Sequence, residues 1–384
     1  MIPLSTPHLN GNEWKYLKEC LDTQWVSSVG PFVDRFEKEI ADYVGAKYAV
    51  AVVNGTSALH IALQIAGVQE NDEVLVSDLT FVASVNSILY CNAKPVFMDV
   101  DYASCQMDVK KVEAFLTEEC EKTPDGLCRN KSTGRIIKVL MPVHILGFSA
   151  EIDSLINLAK SFNIKVVEDS AEGLGVRFHD KHVGTFGDLG ILSFNGNKII
   201  TCGGGGIILT NDTSYANRAK YLTTQAKNDP IEFDHHEMGY NYRLTNLQAA
   251  LGVAQLEQLG EFVDAKLKIA KNYEESLKAN SLISFPKPLN GTLPTYWMYT
   301  ILVNFSGIGK TREEVIKKMI DMKIGVRPFW KPAHTLPFLS GFQNYRIENS
   351  LKLYEYGVCL PCSVHLTEED QNHVCETIKK LLSA

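Results

Sequence analysis

The sequence predicts an α/β fold: a large unit on a mainly parallel sheet, followed by a smaller C-terminal α/β unit. Three observations lead there. Short apolar runs alternate with helical stretches from Tyr48 to Thr210, the pattern of successive βαβ units. After Gly187 that alternation gives way to two runs joined by a glycine-rich turn. Past residue 245 a long helical pattern leads into a second, shorter alternation of strand and helix.

Strands are predicted over 48–53, 73–77, 94–100, 136–143 and 164–168, from apolar and β-branched runs of strand length. Helices over 57–66, 81–90, 109–119 and 152–161 fill the intervals. The polar stretch 122–133 is expected to be a surface insertion. The runs 189–194 and 207–210 lie too close for a crossover helix, which predicts an antiparallel hairpin or an irregular excursion. One long helix is predicted over 246–277, apolar at helical spacing through Leu247, Leu251, Leu256 and Leu259. A strand over 296–303, a helix over 312–322 and a strand over 325–329 follow. The last helix is predicted over 367–382, with Thr367 and Asp370 as a capping box. A boundary near Gly260 gives a large unit of residues 1–259 and a small one of 260–384.

Composition bounds the function. With 384 residues, 45% hydrophobic and 22% charged, the chain can bury a large core. A net charge of -7 gives no basic footprint for nucleic acid. No apolar run is long enough to span a bilayer, and the first residues carry neither a charged leader nor an apolar stretch, so the sequence reads as that of a cytoplasmic enzyme. Nine cysteines at irregular spacing suggest reduced thiols. Cys359-Leu-Pro-Cys362 lacks the second ligand pair that zinc would need, and no metal site is expected.

The chemistry gathers around Lys198, which lies between Ser193 and the four glycines Gly203 to Gly206. A lysine there suits an amine that forms and breaks a Schiff base, or it is a solvated loop lysine. Asn54-Gly55-Thr56-Ser57 follows a strand and opens a helix, where unpaired amides bind phosphate, or where Thr and Ser act only as caps. Asp169 ends a buried strand; it can pair with a protonated pyridine nitrogen or cap the next helix. Glu172 can touch a ring hydroxyl, the substrate or only solvent. Phe81 can stack on a ring or fill the core. Ser193 can hold phosphate or sit in the hairpin, and His144, also at a strand end, can be catalytic or bonded to a backbone carbonyl. The consecutive glycines precede a strand rather than a helix, which excludes a dinucleotide fingerprint. Asn241 and Arg243 precede the long helix and could reach an anion, including one in a neighbouring subunit. Arg327, Trp330 and His334 form an arginine-plus-aromatic cluster suited to an anionic, ring-bearing substrate. A phosphate-type turn, a strand-end aspartate and a lysine together make a set that holds pyridoxal phosphate (PLP).

With these residues in hand, the chain resembles the DegT/StrS family of PLP-dependent sugar-nucleotide aminotransferases over nearly its whole length. The likeness is carried by residues 25–37, Asn54-Gly-Thr-Ser57, Thr80-Phe81, Pro142-Val-His144, Glu168-Asp-Ser-Ala-Glu172, Ser193-Phe-Asn-Gly-Asn-Lys198 and Gly239-Tyr-Asn-Tyr-Arg243. The resemblance implies an aspartate-aminotransferase-like fold and a homodimer with shared active sites. It implies that Lys198 holds the cofactor, Asp169 pairs with its ring nitrogen and Phe81 stacks on the ring. Gly55, Thr56, Ser193 and a neighbouring subunit's Asn241 would hold the phosphate. Ser27, within 25–37, is a further candidate substrate contact beside His144, Arg243, Arg327 and Trp330. The Asn-Gly-Asn-Lys198 wording and Thr223-Thr-Gln-Ala-Lys227 resemble a narrower group that aminates C4 of a UDP-linked 2-acetamido-2,6-dideoxy-4-keto sugar with L-glutamate, for surface glycans. Two departures blur the substrate: many relatives have Gln where Glu172 stands, and Glu in place of one glycine of the run. The alternatives are C3 amination of a related 3-keto nucleotide sugar and a PLP-binding regulator; a cysteine desulfurase would need a mobile cysteine, whereas Cys202 sits in the glycine turn.

Overall fold

The computed structural model describes residues 1–229 and 231–383. An eight-stranded sheet forms the centre. Its spatial order is Tyr48–Val52, Gly206–Thr210, Leu189–Ser193, Lys165–Asp169, Ile137–Met141, Glu73–Ser77, Lys94–Met98 and Asn344–Tyr345. Only Gly206–Thr210 runs against the others; it pairs antiparallel with both neighbours, as expected from the glycine turn.

Strand period explains the layers. Val74, Val76, Val139, Met141 and Val167 face one cluster, packed with Leu59, Ile61 and Leu63 from helix Gly55–Ile65 and Val85 and Ile88 from Val82–Tyr90. Leu75, Leu140 and Val166 face the opposite cluster, with Val112 and Phe115 from Val109–Glu118 and Leu155 from Ile152–Ser161. A sheet buried on both faces needs apolar residues at both parities, which is why these strands read as continuous apolar runs.

A second sheet lies C-terminally. Ile283–Ser284, Tyr299–Val303, Gly357–Leu360 and Arg327–Pro328 pair antiparallel in that order. Among the described residues no helix is long and apolar enough to cross a membrane.

Several expectations are corrected. The predicted single helix over 246–277 is two helices, Asn246–Leu256 and Leu259–Leu277. The break falls where Glu257 and Gln258 turn aside: Glu257 accepts from Tyr16 Oη at 2.6 Å and Gln258 Nε2 donates to Glu13 at 2.9 Å. The stretch 122–133 is no simple surface insertion, because Cys120–Lys122 and Cys128–Asn130 pair as a hairpin. Its Asn130 is fully buried and donates to Glu73 at 2.8 Å and Gln343 at 2.6 Å. At the last helix, Glu368–Ser383, Thr367 Oγ1 accepts from the Asp370 amide. Helices Glu13–Asp22, Pro31–Val44, Thr213–Thr223 and Asn349–Tyr356 and the strand Gly357–Leu360 were not anticipated.

Candidate active site

The parallel strands end on one edge of the sheet, and their C-terminal residues converge there. Asn54, Thr80, Val143, Asp169 and Ser193 all line one cavity of about 350 Å³. Gly55, Thr56, Phe81, Ser84, Glu172, Asn195, Asn197, Lys198, Trp297, Arg327 and Trp330 complete much of its wall.

One end of the cavity is built for an anion. Asn54 caps helix Gly55–Ile65, its side chain accepting from Ser57 N at 2.8 Å. Helix geometry leaves the amides of Gly55 and Thr56 without intrahelical partners, at the positive end of the dipole. Ser193 closes on this turn so tightly that a Cβ on Gly55 would lie 2.9 Å from the Ser193 Cβ. Glycine at 55 is therefore a packing requirement of the cradle.

Asp169 is 3% exposed and sits on the cavity wall. Its Oδ2 accepts from Ser84 Oγ at 2.7 Å and its Oδ1 from Ala171 N at 3.1 Å. Ser84 is in turn 2.8 Å from Thr80 Oγ1. The strand alternation turns Glu168 the other way. Fully buried, it accepts from the amides of Gly184, Phe186 and Gly187 and lies 2.9 Å from His144 Nε2. Burial opposes its ionisation, but the His144 contact and the amides outweigh burial and hold its carboxyl below the usual range.

Lys198 Nζ lies 3.9 Å from Glu172 Oε1 and 4.2 Å from the centre of the Trp297 ring. Burial lowers the lysine pKa, while the charges of Glu172 and Asp169 pull it back up. Burial raises the Glu172 pKa, against the opposing pull of Lys198. Glu172 Oε2 is fixed by the Leu146 amide at 2.8 Å, and Leu146 holds a φ of 65° to present it. Opposite, the Arg327 guanidinium stacks 4.0 Å from the Trp330 ring, and Trp330 meets Phe81 at 5.4 Å between ring centres. Arg327 Nε is buried with no hydrogen-bond partner among the described residues.

Of the residues singled out from the sequence, Gly55, Thr56, Phe81, Asp169, Glu172, Ser193, Lys198, Arg327 and Trp330 line this cavity. Ser57 is buried just behind it, its amide engaged by Asn54. His144 is fully buried off the cavity wall, with both ring nitrogens engaged, Nε2 by Glu168 and Nδ1 by the Ala150 amide. Ser27 and Asn241 are exposed, and Arg243 bridges Val52; none of the three lines the cavity of its own chain. Sequence reasoning missed Trp297 and Ser84. Trp297 sits in an apolar run that reads as strand, so nothing marked it. Ser84 lies in the first turn of the helix Val82–Tyr90, and Thr80, just before its cap, folds back to meet it at 2.8 Å, which no helical spacing announces.

The match to known proteins decides what this cavity belongs to. Residues 7–379 match the model of the DegT/DnrJ/EryC1/StrS aminotransferase family. The chain belongs to that family. It is a PLP-dependent aminotransferase. The chain is 39% identical to the GDP-perosamine synthase of Escherichia coli O157:H7, across 100% of this chain and 99% of that protein. It is 30% identical to the UDP-4-amino-4,6-dideoxy-N-acetyl-beta-L-altrosamine transaminase of Campylobacter jejuni, across 100% and 98%. The crystal structure of the aminotransferase TlmJ from Streptoalloteichus hindustanus superposes with a TM-score of 0.89 at 25% identity, covering all of both chains.

The cavity fits the cofactor that this family uses. It offers an anion cradle at one end, a buried carboxylate on the wall, an aromatic face and a primary amine whose side chain is only 13% exposed. Among the described residues no group of three or more metal-type ligands occurs, and all nine cysteines are free thiols.

Proposed function

We propose that this aminotransferase moves the amino group of L-glutamate to C4 of a nucleotide-linked 4-keto-6-deoxy sugar, releasing 2-oxoglutarate and the 4-amino sugar for a surface glycan. The observation that carries this reading is the Lys198 amine on the same cavity wall as Asp169 and the Gly55–Ser193 cradle. Bound PLP supplies the electron sink that stabilises charge at the carbon losing its proton.

The residues divide the remaining work. Gly55, Thr56 and Ser193, with the partner subunit's Asn241, hold the cofactor phosphate; Ser57 supports that turn. Asp169 keeps the ring nitrogen protonated, and Ser84 and the Ala171 amide hold its carboxylate in place. Phe81 and Glu172, both on the cavity wall, would hold the cofactor ring, the first by stacking and the second by a polar contact. Lys198 would hold the cofactor, and its free amine would take the Cα proton of the donor and deliver a proton on the reverse half of the exchange. Depressing the lysine's pKa by burial keeps more of it in the neutral, proton-accepting form. Arg327 and Trp330, with Ser27 and Arg243 as the other candidates, take the anionic and ring-bearing parts of the substrates; His144, buried with both ring nitrogens engaged, instead helps to hold Glu168 behind the wall. The proposed assembly is a cytoplasmic homodimer in which the partner subunit's Asn241 completes each site, with residues 1–259 as the cofactor-binding unit and 260–384 as the smaller one.

The nucleotide has two readings. The 39% identity to a GDP-perosamine synthase favours a GDP-linked sugar. The wording around Lys198, and the likeness to a UDP-altrosamine transaminase, favour the UDP-linked 2-acetamido-2,6-dideoxy-4-keto sugar. We place the GDP-linked substrate first because that identity is the higher one. A panel of GDP-, UDP- and dTDP-linked keto sugars, assayed with glutamate and read by 2-oxoglutarate release and by the position of the new amine, separates these from each other and from C3 amination. Silence across the panel, with cofactor bound, would favour a regulator.

A further inference from the structure

His334 lies outside the cavity wall, yet it ties two parts of that wall together. The chain leaves the small sheet at Arg327–Pro328 and crosses back to the large one, where Asn344–Tyr345 pairs with Lys94–Met98. Arg327 and Trp330 ride on the first part of this crossing segment. Its middle is fastened to one residue, Asp78, which follows the strand Glu73–Ser77 and precedes Thr80 and Phe81.

The fastening is dense. Ala333 N donates to Asp78 O at 2.9 Å, and His334 N donates to Asp78 Oδ1 at 2.9 Å. The imidazole Nδ1 lies 3.0 Å from Asp78 Oδ1 and 2.9 Å from Oδ2. Asp78 is fully buried, whereas the His334 side chain is 19% exposed. A buried carboxylate needs such partners. On the cavity side of the same joint Phe81 meets Trp330, and Arg327 stacks on Trp330. The joint therefore sets the separation of Phe81 from the Arg327–Trp330 face.

We propose that His334 is a positioning residue: through Asp78 it fixes the gap between Phe81 and Trp330, and so sets how tightly the anionic substrate is held. This rests on the reading of Arg327 and Trp330 as the substrate wall. His334 touches neither the cavity nor the reacting amine, so its effect is on binding rather than on proton transfer. The Asp78 hydrogen bond raises the His334 pKa, with burial opposing and the charges of Asp78 and the more distant Asp99 assisting. The joint is thus fully charged below the ordinary histidine pKa and loses charge as pH rises through the elevated one.

The test pairs His334→Ala with His334→Asn, whose amide nitrogen can stand in for Nδ1. Hydrogen exchange of the cofactor-free protein reports the joint, and KM and kcat of the PLP-loaded enzyme report its consequence. In His334→Ala, exchange over 329–339 should quicken on the order of tenfold, and KM should rise by a similar factor. The value of kcat should stay within about twofold, and His334→Asn should restore both readouts. Wild-type protection, corrected for intrinsic exchange, should weaken as pH rises above the ordinary histidine range and stay flat in His334→Asn. Unchanged exchange in His334→Ala overturns the joint, and faster exchange with KM unchanged for both substrates overturns its role in binding. Arg327→Lys tests the substrate wall separately: an unchanged KM there, with exchange unaltered, sinks the wall and leaves the joint standing as architecture alone.

Discussion

Lys198 Nζ and Glu172 Oε1 face each other at 3.9 Å inside the cavity, and burial drives their pKa values toward one another. Each group is the other's principal electrostatic opponent of that drift. Glutamate at 172 therefore does more than fill space: it keeps the amine closer to its charged form than burial alone would. Replacing Glu172 by Gln should lower the Lys198 pKa further. In the cofactor-free protein, the midpoint for labelling Lys198 with an amine reagent should move to lower pH. A midpoint that stays put or moves up would show that the carboxylate does not act on the amine.

Asp169→Asn should fold, because an amide can still accept from Ala171 N and meet Ser84. It cannot hold a ring cation. Removing one partner of a buried charged pair costs ~3–5 kcal/mol. Expressed on the barrier, that slows the reaction by ~100- to 5,000-fold. Circular dichroism should be unchanged while kcat/KM falls; a wild-type rate would remove Asp169 from the chemistry.

Lys198→Ala should abolish covalent attachment of the cofactor, so that borohydride no longer fixes it to the chain, and slow turnover by at least ~100- to 10,000-fold, the range that proton transfer alone supplies. The assay is glutamate-dependent release of 2-oxoglutarate. Sustained turnover without added amine would overturn the assignment.

Asn241 is exposed and away from the cavity of its own chain, whereas Lys198 lines it. If the partner subunit's Asn241 completes each site, mixing Lys198→Ala with Asn241→Ala chains should recover activity. Random exchange would give about a quarter of the wild-type rate, since only one site in each mixed dimer is whole. Native mass spectrometry should confirm the mixed species, and confirmed mixed dimers without activity would place Asn241's role within its own chain.

Gly190 lies mid-strand where the Gly184 loop crosses it. A Cβ there would sit 2.0 Å from Gly184 O. That loop also delivers the Gly184 amide to Glu168. Gly190→Ala should therefore destabilise by at least ~1–3 kcal/mol through overpacking. Thermal denaturation should show a clear fall in Tm.

The large sheet was legible because its strands are buried on both faces and announce themselves as apolar runs. The hairpin was legible from Gly203 to Gly206, and the wall residues on strand ends followed from where parallel strands place their C-termini. What escaped has a common physical origin. Helix Glu13–Asp22 buries Glu13, Tyr16 and Cys20 but leaves Trp14 and Leu21 exposed, so its largest apolar side chains do not mark its buried face. The split at Glu257 depends on Glu13, Asn12 and Tyr16, over two hundred residues away. Trp297 reaches Lys198 only through tertiary packing; within its own segment it is one more apolar residue. His144 was visible as a strand-end histidine, but its direction, away from the cavity and onto Glu168, is set by strand parity and the 184–187 loop.

The strand Asn344–Tyr345 gives the C-terminal part of the chain a share in the large sheet. Its consequence is for recombination between relatives. A C-terminal segment exchanged at residue 260 would import not only a new substrate wall but also a foreign edge for Phe97 and Met98, and a foreign counterpart for Asp78. A mismatch would leave Lys94–Met98 as a bare sheet edge, the kind that pairs with other chains and aggregates. Chimeras meant to alter sugar preference should therefore transfer 78–98 together with 327–345 as one inheritance, even though more than half of the chain separates the first stretch from the second.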